Sequence, residues 1–311
     1  MSVPRRSTGL ASAMALLAAL LWASYYPLVL GVHPSAAPSA LLAIPFLLGG
    51  GAFSLNAVLR GEGTALARLW LDVRAWGRVG LLVAMQVSVL AATYLTGAVD
   101  TSLLSLLGDV VATPFFLVLL FGEGSSRVRS GVFWGGITLC TAGAGLTIVV
   151  GGGARSIGGW GIPFAVVVPT LIAFYFLFMA RACRTAPTSA VGGHATLGAG
   201  LVSVAIAPLL PGGFSGLLPP TLAAGVAAGA IGIAAFYLGP GLYFLAIERA
   251  GIVLPAVLMA TIPLFTLGFA WLVLGAVPTL LGLVGIPIAV GGAFVALRGE
   301  HDPWSPPMPG G

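Results

Sequence analysis

The chain has 311 residues, of which 59% are hydrophobic and only 7% are charged, and its mean hydropathy is +1.09. Water-soluble domains contain about 25% charged residues, so this composition excludes a soluble globular protein. The formal charge of +5 comes from arginines that stand between apolar runs and form no basic stripe, which excludes the surface of a nucleic-acid-binding protein.

Ten apolar runs follow one another along the chain, and each is long enough to cross a bilayer as a helix of about 20 residues. The predicted spans are 9–32, 37–59, 77–97, 101–121, 130–150, 159–181, 188–210, 220–246, 251–274 and 279–298. The first run has no small-residue cleavage site before polar sequence, so it is predicted to remain as a span. The sequence therefore predicts an all-α integral membrane protein with ten transmembrane helices.

The thirteen arginines predict the orientation, because cytoplasmic loops carry an excess of basic residues. With the N-terminus inside, twelve arginines fall on the inner side and only Arg155 falls outside. The inner set is Arg5, Arg6, Arg60, Arg68, Arg74, Arg78, Arg127, Arg129, Arg181, Arg184, Arg249 and Arg298. Both termini are therefore predicted to be cytoplasmic. The longest loop, 60–78, is expected to form a short amphipathic helix at the inner surface.

An internal repeat divides the chain into two halves. Tyr94 precedes Pro114 by twenty residues, and Tyr243 precedes Pro263 by the same interval. Since five spans per half is an odd number, the second half must cross the membrane in the opposite sense, as in many secondary transporters. The predicted units are a five-helix repeat over 1–150, an inverted five-helix repeat over 151–298, and a cytoplasmic tail over 299–311.

Asp109 is the one carboxylate deep inside a predicted span, where an aspartate costs about 2.5–3.5 kcal/mol on insertion scales. Ser102, Ser105, Asp109 and Thr113 recur at helical spacing, so they should share a face that looks into the protein or a wet cavity. Two interpretations stay open. Asp109 binds a substrate amine or carries a proton, or it is a buried aspartate that only stabilises packing.

Aromatic and polar side chains inside other spans are further candidates for a substrate pathway. Trp22 and Tyr25 lie in span one beside Tyr26, and Tyr175 lies in span six between Phe174 and Phe176. A cavity lined by tyrosines suits an amphipathic solute, whereas helix packing explains each aromatic residue taken alone. The remaining pathway candidates are Gln86, Tyr94, Thr113, Pro114, Tyr243, Met259 and Thr261.

Glycine and proline interrupt three spans. Gly239-Pro240-Gly241 lies in the middle of span eight, and Pro114 and Pro263 lie at matching places in spans four and nine. Proline removes a backbone hydrogen bond and glycine permits bending, so Gly239, Pro240, Gly241 and Pro263 are predicted hinge residues. A purely structural kink is the alternative.

One pattern could indicate an enzyme. Gly213-Phe214-Ser215-Gly216 matches the GxSG sequence of intramembrane serine proteases. The serine would need a histidine base, but His194 begins the same span near its opposite face and His33 lies in a separate outer loop. Metal-binding and phosphate-binding motifs are absent from the sequence, and no channel filter is evident. No enzyme activity, metal or cofactor is therefore expected.

The order of these features resembles the EamA-type branch of the drug/metabolite transporter superfamily, to which the YddG-like amino-acid exporters belong. The resemblance rests on residues 20–24 in span one, 113–123 at the end of span four, and 263–275 in span nine. It implies two inverted five-helix halves around a central cavity. Export of small amphipathic metabolites, above all neutral or aromatic amino acids, follows from the resemblance alone. Efflux of drugs or cationic compounds is the alternative.

For a carrier of this kind, the expected partners are a small-molecule substrate and the lipid bilayer. The expected location is the bacterial cytoplasmic membrane, and one chain suffices to enclose a path. The expected cavity is lined by spans one, three, four, six, eight and nine, with the two halves rocking about it in alternating access.

Overall fold

The computed structural model describes residues 8–32, 36–122, 130–147, 161–250, 255, 258–277 and 279–297. Every regular element in these ranges is a helix. Several residues used in the sequence analysis lie outside them, namely Arg5, Arg6, His33, Glu123, Arg127, Arg129, Arg155, Arg298 and the tail 299–311.

Thirteen α-helices are described, and all of the predicted spans contain one or more of them. They are α1 (Thr8–Val32), α2 (Pro38–Leu59), α3 (Gly63–Leu71), α4 (Val73–Thr96), α5 (Ala98–Leu107), α6 (Thr113–Phe121), α7 (Gly131–Gly145), α8 (Gly161–Thr185), α9 (Thr188–Ala205), α10 (Leu222–Ile233), α11 (Gly239–Ala250), α12 (Ile262–Leu274) and α13 (Leu280–Leu297). Two predicted spans are divided. A first π segment, Gly108–Ala112, joins α5 to α6, and a second π segment, Ala234–Leu238, joins α10 to α11.

The protein is a multi-pass membrane protein. Within the described residues, six helical stretches are long and apolar enough to cross a membrane: Gly9–Val32, Pro38–Leu59, Val73–Thr96, Ala98–Phe121, Pro163–Thr185 and Leu222–Arg249. The apolar helices Ile262–Leu274 and Leu280–Ala296 are shorter. The count of ten spans and their inside-out order stay predictions.

Local sequence sets several helix ends. The Asp72 side chain accepts a hydrogen bond from the Arg74 N–H at 2.9 Å and so begins α4 with a capped turn. Glycines with positive φ end three helices, because only glycine takes this conformation without a steric cost. They are Gly97 (φ 98°), Gly122 (φ 68°) and Gly275 (φ 63°). The last two close α6 and α12, the helices that begin beside Pro114 and Pro263.

Two helix pairs pack backbone against backbone through small residues, α2 with α9 and α7 with α13. A Cβ added at Gly143 in α7 would lie 2.6 Å from the Gly285 carbonyl oxygen in α13. A Cβ added at Gly200 in α9 would lie 2.9 Å from the Leu47 backbone nitrogen in α2. Membrane helices associate mainly through such close packing, because lipid supplies no hydrophobic driving force between them.

The contacts between helices occur in pairs. When each helix is replaced by its counterpart in the other predicted half, one contact of a pair becomes the other. α1 packs on α11 and on α12, and α8 packs on α4 and on the helical stretch from α5 to α6. Likewise, α2 packs on α10 and α9 packs on α4, while α2–α9 and α7–α13 each map onto themselves. This pairing is what a two-fold relation between the halves predicts. The division at residue 150 and the inverted sense of the second half remain predictions.

The amphipathic helix expected in the longest loop is α3, and it packs against the rest of the protein. Leu66 is buried with Ala57 and Ala190 of α2 and α9. Trp70 and Trp76 place their rings 5.0 and 5.5 Å from the ring of His194, which is fully buried. These contacts attach the loop to the start of α9.

Candidate functional site

A cavity of about 90 Å³ lies among α1, α4, the helical stretch from α5 to α6, α8, the stretch from α10 to α11, and α12. These elements correspond to the six spans from which the sequence predicts a cavity. Its lining residues are Trp22, Tyr25, Tyr26, Leu82, Met85, Gln86, Val89, Ser105, Asp109, Ile172, Tyr175, Phe176, Ala235, Phe236, Pro240 and Ile262. The space is several times the roughly 10–15 Å³ that one water molecule needs.

The first π segment brings a carboxylate to this cavity. Asp109 is its second residue, and Ser105 lies one turn earlier in α5. The Tyr26 hydroxyl donates to Ser105 Oγ at 2.9 Å, and Ser105 Oγ donates to the Thr101 carbonyl at 3.0 Å. Within the part of the chain that the structure describes, no side chain hydrogen-bonds or ion-pairs with the Asp109 carboxylate. Among these residues, the Asp109 carboxylate is thus an acceptor without a side-chain donor.

A second acceptor comes from α4. Gln86 is only 8% exposed, and its Oε1 atom has no hydrogen-bond partner among the described residues. Leu82, Met85 and Val89 line the cavity from the same helix at three- and four-residue steps. A buried amide oxygen without a donor is costly, so this position favours a ligand or water that can donate to it.

Aromatic rings form one wall. The Trp22 ring lies 5.8 Å from the ring of Phe176 and 5.5 Å from that of Tyr243, in edge or tilted arrangements. The Tyr25 ring lies 5.7 Å from the ring of Phe236. Aromatic pairs at these distances stabilise one another and give a rigid apolar surface.

The second π segment adjoins this aromatic wall. The Trp22 Nε1–H donates to the Ala235 carbonyl at 2.7 Å, which ties α1 to the break between α10 and α11. The indole N–H is therefore already used within the protein.

The polar groups of the cavity that lack a partner are hydrogen-bond acceptors. Among the residues that the structure describes, Asp109 and Gln86 are acceptors without a protein donor, and no arginine or histidine lines the cavity. A ligand carboxylate would find only hydroxyl and amide donors, whereas a ligand ammonium would meet a carboxylate. The arrangement suits a solute with an amine and an apolar body.

Comparison with known proteins agrees with this geometry. Residues 159–298 match the profile of the EamA-like transporter family. We call residues 159–298, which are less than half of the chain, the EamA-like domain. No curated protein matches the chain significantly.

Solved structures share the fold over most of the chain. Twelve chains match, and one crystal structure aligns with a TM-score of 0.69 at 20% identity, covering 92% of this chain and 96% of that one. Similarity at this level of identity shows the fold alone. The fold therefore extends beyond the EamA-like domain over both predicted halves.

The EamA-like domain and the part of the chain before it both line the cavity. The EamA-like domain supplies Ile172, Tyr175, Phe176, Ala235, Phe236, Pro240 and Ile262, and the remaining lining residues precede it. Of the predicted pathway and hinge residues, Trp22, Tyr25, Gln86, Asp109, Tyr175 and Pro240 lie in the lining.

The other predicted residues lie outside the lining, namely Tyr94, Thr113, Pro114, Gly239, Gly241, Tyr243, Met259, Thr261 and Pro263. Thr113 Oγ1 donates back to the Gly108 carbonyl at 2.9 Å, and Thr261 Oγ1 donates to the Leu258 carbonyl at 2.6 Å. Thr113 was expected on the Asp109 face from a continuous α-helical period. The wider turn of the π segment changes the register after Asp109 and explains the difference.

Sequence reasoning selected few of the apolar lining residues. Tyr26, Ser105 and Phe176 were visible as neighbours of selected residues, and Leu82, Met85 and Val89 could have been found from their helical spacing around Gln86. Ile172, Ala235, Phe236 and Ile262 carry no sequence signal that separates cavity walls from ordinary packing.

The GxSG serine has a local partner. Ser215 Oγ donates to the Gly212 carbonyl at 2.9 Å in a 3₁₀ turn. His194 lies between Trp70 and Trp76, and neither of its ring nitrogens has a hydrogen-bond partner among the described residues. Ser215 and His194 therefore do not form the hydrogen-bonded pair that nucleophilic catalysis needs.

Proposed function

We propose that this protein is a secondary transporter that exports small amphipathic, amine-bearing metabolites across the bacterial cytoplasmic membrane, with neutral or aromatic amino acids as its first candidate substrates. Transport proceeds by alternating access, with the two halves rocking about the cavity. Both termini are cytoplasmic, and one chain encloses the path. The direction and the amino-acid choice follow from the resemblance to YddG-like exporters.

The observation that carries the proposal is the composition of the cavity lining. One carboxylate, Asp109, faces a space walled by Trp22, Tyr25 and Tyr175 and built from six predicted spans. Ionisable groups inside membrane spans mark substrate or ion pathways. The lining combines aromatic rings with hydrogen-bond acceptors, which match the apolar body and the amine of an amphipathic solute.

Each group has a defined task in this proposal. Asp109 accepts hydrogen bonds from the solute ammonium, and Gln86 Oε1 accepts a further one. The aromatic wall around Trp22 and Phe176 contacts the apolar side chain. The prolines and glycines near the π segments let the walls bend as access changes sides.

The test is a counterflow assay in liposomes containing the purified protein, with labelled phenylalanine as the probe. Saturable exchange with unlabelled phenylalanine supports a carrier. Non-saturating flux identifies a channel, and cleavage of an added transmembrane peptide identifies a protease. Either of the last two results rejects the proposal.

Efflux of cationic compounds is the second candidate, and it is favoured because the described lining residues include no arginine or histidine. Phenethylamine is phenylalanine without the carboxylate, so the two probes form a matched pair. Faster saturable counterflow of phenethylamine selects the cationic class, because a carboxylate finds no basic partner in this lining. Faster counterflow of phenylalanine selects amino acids.

A further inference from the structure

The two π segments share one backbone arrangement. In the first, the Thr113 N–H donates to the Gly108 carbonyl, five residues back, and the next residue is Pro114. In the second, the Gly239 N–H donates to the Ala234 carbonyl, again five residues back, and the next residue is Pro240. Each segment is therefore followed at the same position by a residue that cannot donate.

The proline leaves a specific carbonyl without its donor. In the five-residue register, the donor after Gly239 would be residue 240 and its acceptor would be Ala235. Since Pro240 has no N–H, the Ala235 carbonyl receives nothing from it. An unsatisfied carbonyl in an apolar membrane protein is costly, so another donor is needed.

Trp22 supplies that donor from a helix 213 residues earlier in the chain. Its Nε1–H lies 2.7 Å from the Ala235 oxygen. Gly239 makes the approach possible, because a Cβ at that position would lie 3.1 Å from Trp22 Nε1. A Cβ at Gly241, on the other side of the proline, would meet only Phe53 at 3.9 Å, an ordinary contact.

We propose that Trp22 is a positioning residue whose indole N–H replaces the missing Pro240 N–H and locks the break between α10 and α11 to α1. Gly239 gives the indole room, and Pro240 frees the carbonyl that it binds. This bond fixes the cavity wall formed by Ala235, Phe236 and Pro240, and it keeps spans one and eight joined at a point about which the two predicted halves rock. This role rests on the proposed transport function.

A double-mutant cycle on the full-length protein tests the lock. Trp22→Phe removes the donor, and Pro240→Ala restores a backbone N–H, so the Ala235 carbonyl gains the residue 240 N–H in a π register or the Gly239 N–H in an α register. We expect Trp22→Phe to lower the midpoint of thermal unfolding in detergent by about 3 °C with Pro240 present and by less than about 1 °C in the Pro240→Ala background. Equal shifts in the two backgrounds overturn the proposal.

Two further measurements separate the hydrogen bond from ring packing. Replacing Trp22 by 3-benzothienylalanine keeps the ring size but puts sulfur in place of N–H, and it should reproduce the Trp22→Phe shift. This variant takes the place of Trp22→Phe in the double-mutant cycle if Trp22→Phe does not fold. Gly239→Ala should displace the indole and shift its N–H-sensitive ultraviolet resonance Raman band, whereas Gly241→Ala should leave the band in place. A normal midpoint with benzothienylalanine, or an unmoved band in Gly239→Ala, contradicts the lock.

Transport measured in the same variants separates this inference from the proposed function. Phenethylamine counterflow should fall about tenfold in the 3-benzothienylalanine protein, which keeps the ring of the aromatic wall and loses only the N–H. If the unfolding midpoints are coupled but the wild-type protein shows no saturable flux, the transport function is rejected and the lock stands. If the wild-type protein shows saturable flux but the unfolding midpoints are not coupled, only the lock is rejected.

Discussion

Tyr26 in α1 donates its hydroxyl proton to Ser105 Oγ in α5 at 2.9 Å, and both residues line the cavity beside Asp109. The bond joins two predicted spans that are separated by 79 positions in sequence. Ser105 in turn donates to the Thr101 carbonyl, so both hydroxyls are satisfied inside the protein. With these hydroxyls used internally, Asp109 is left as the charged group that a solute can reach.

We predict that Asp109→Asn reduces counterflow of phenethylamine about 10- to 100-fold, because a hydrogen bond to a charged acceptor contributes about 1.5–3 kcal/mol. The measurement is the initial rate in liposomes at several solute concentrations. Asp100→Asn is the matched control, since Asp100 is a carboxylate in the same helical stretch, in α5, that is only 8% exposed and lies outside the cavity lining. An unchanged rate in Asp109→Asn removes this residue from the mechanism.

Tyr26→Phe and Ser105→Ala should show coupled effects on solute affinity. Each change removes one partner of the 2.9 Å bond, so the second change costs less once the first is present. The expected coupling energy is about 1 kcal/mol, the usual size of one such bond. The apparent affinity for phenethylamine, taken from the saturation of counterflow, measures it. Tyr25→Phe combined with Ser105→Ala is the comparison pair and should be additive, so equal coupling in both pairs speaks against a specific bond.

Glycine substitutions between α7 and α13 should depend strongly on position. Gly143→Ala places a methyl group 2.6 Å from the Gly285 carbonyl oxygen, and the helices must separate to accept it. We expect Gly143→Ala to lower the free energy of unfolding by about 1–3 kcal/mol. Gly145→Ala in the same helix meets nothing within 4 Å and should be neutral or stabilising by up to about 1 kcal/mol.

Gly292→Ala and Gly291→Ala form a second such comparison on α13. A Cβ at Gly292 would meet the Gly136 carbonyl oxygen at 2.8 Å, whereas Gly291 is open. Unfolding midpoints in detergent measure all four variants. Similar midpoints within each comparison would mean that these helices do not pack through their backbones.

The predicted orientation can be measured by labelling single cysteines in intact cells. Cys140 and Cys183 are both free and can be replaced to give a cysteine-free background. Thr64→Cys in the predicted inner loop should resist a membrane-impermeant maleimide until the cells are opened. Ser215→Cys in the predicted outer loop should react at once, because Ser215 is exposed. The reverse pattern would invert the topology.

Sequence reasoning performed well where the signal is compositional. Apolar runs of about 20 residues fixed the membrane class, and all of the predicted spans contain a described helix. It also selected Asp109, Gln86 and Trp22, because polar or amphipathic side chains are rare inside spans. Thr113 and Tyr243 were also selected and lie outside the lining, and their roles stay predictions.

The sequence by itself determined that the chain is a membrane protein, roughly where its helices lie, and that one carboxylate is placed among apolar residues. Only the tertiary structure decided which side chains meet at the cavity. A π turn is set by the balance of backbone hydrogen bonds and neighbouring helices, so composition did not indicate that Gly108–Ala112 changes the register after Asp109. Likewise, Pro240 predicted a break, but only the packing of α1 against it showed that the Trp22 N–H lies on the carbonyl that the proline leaves free.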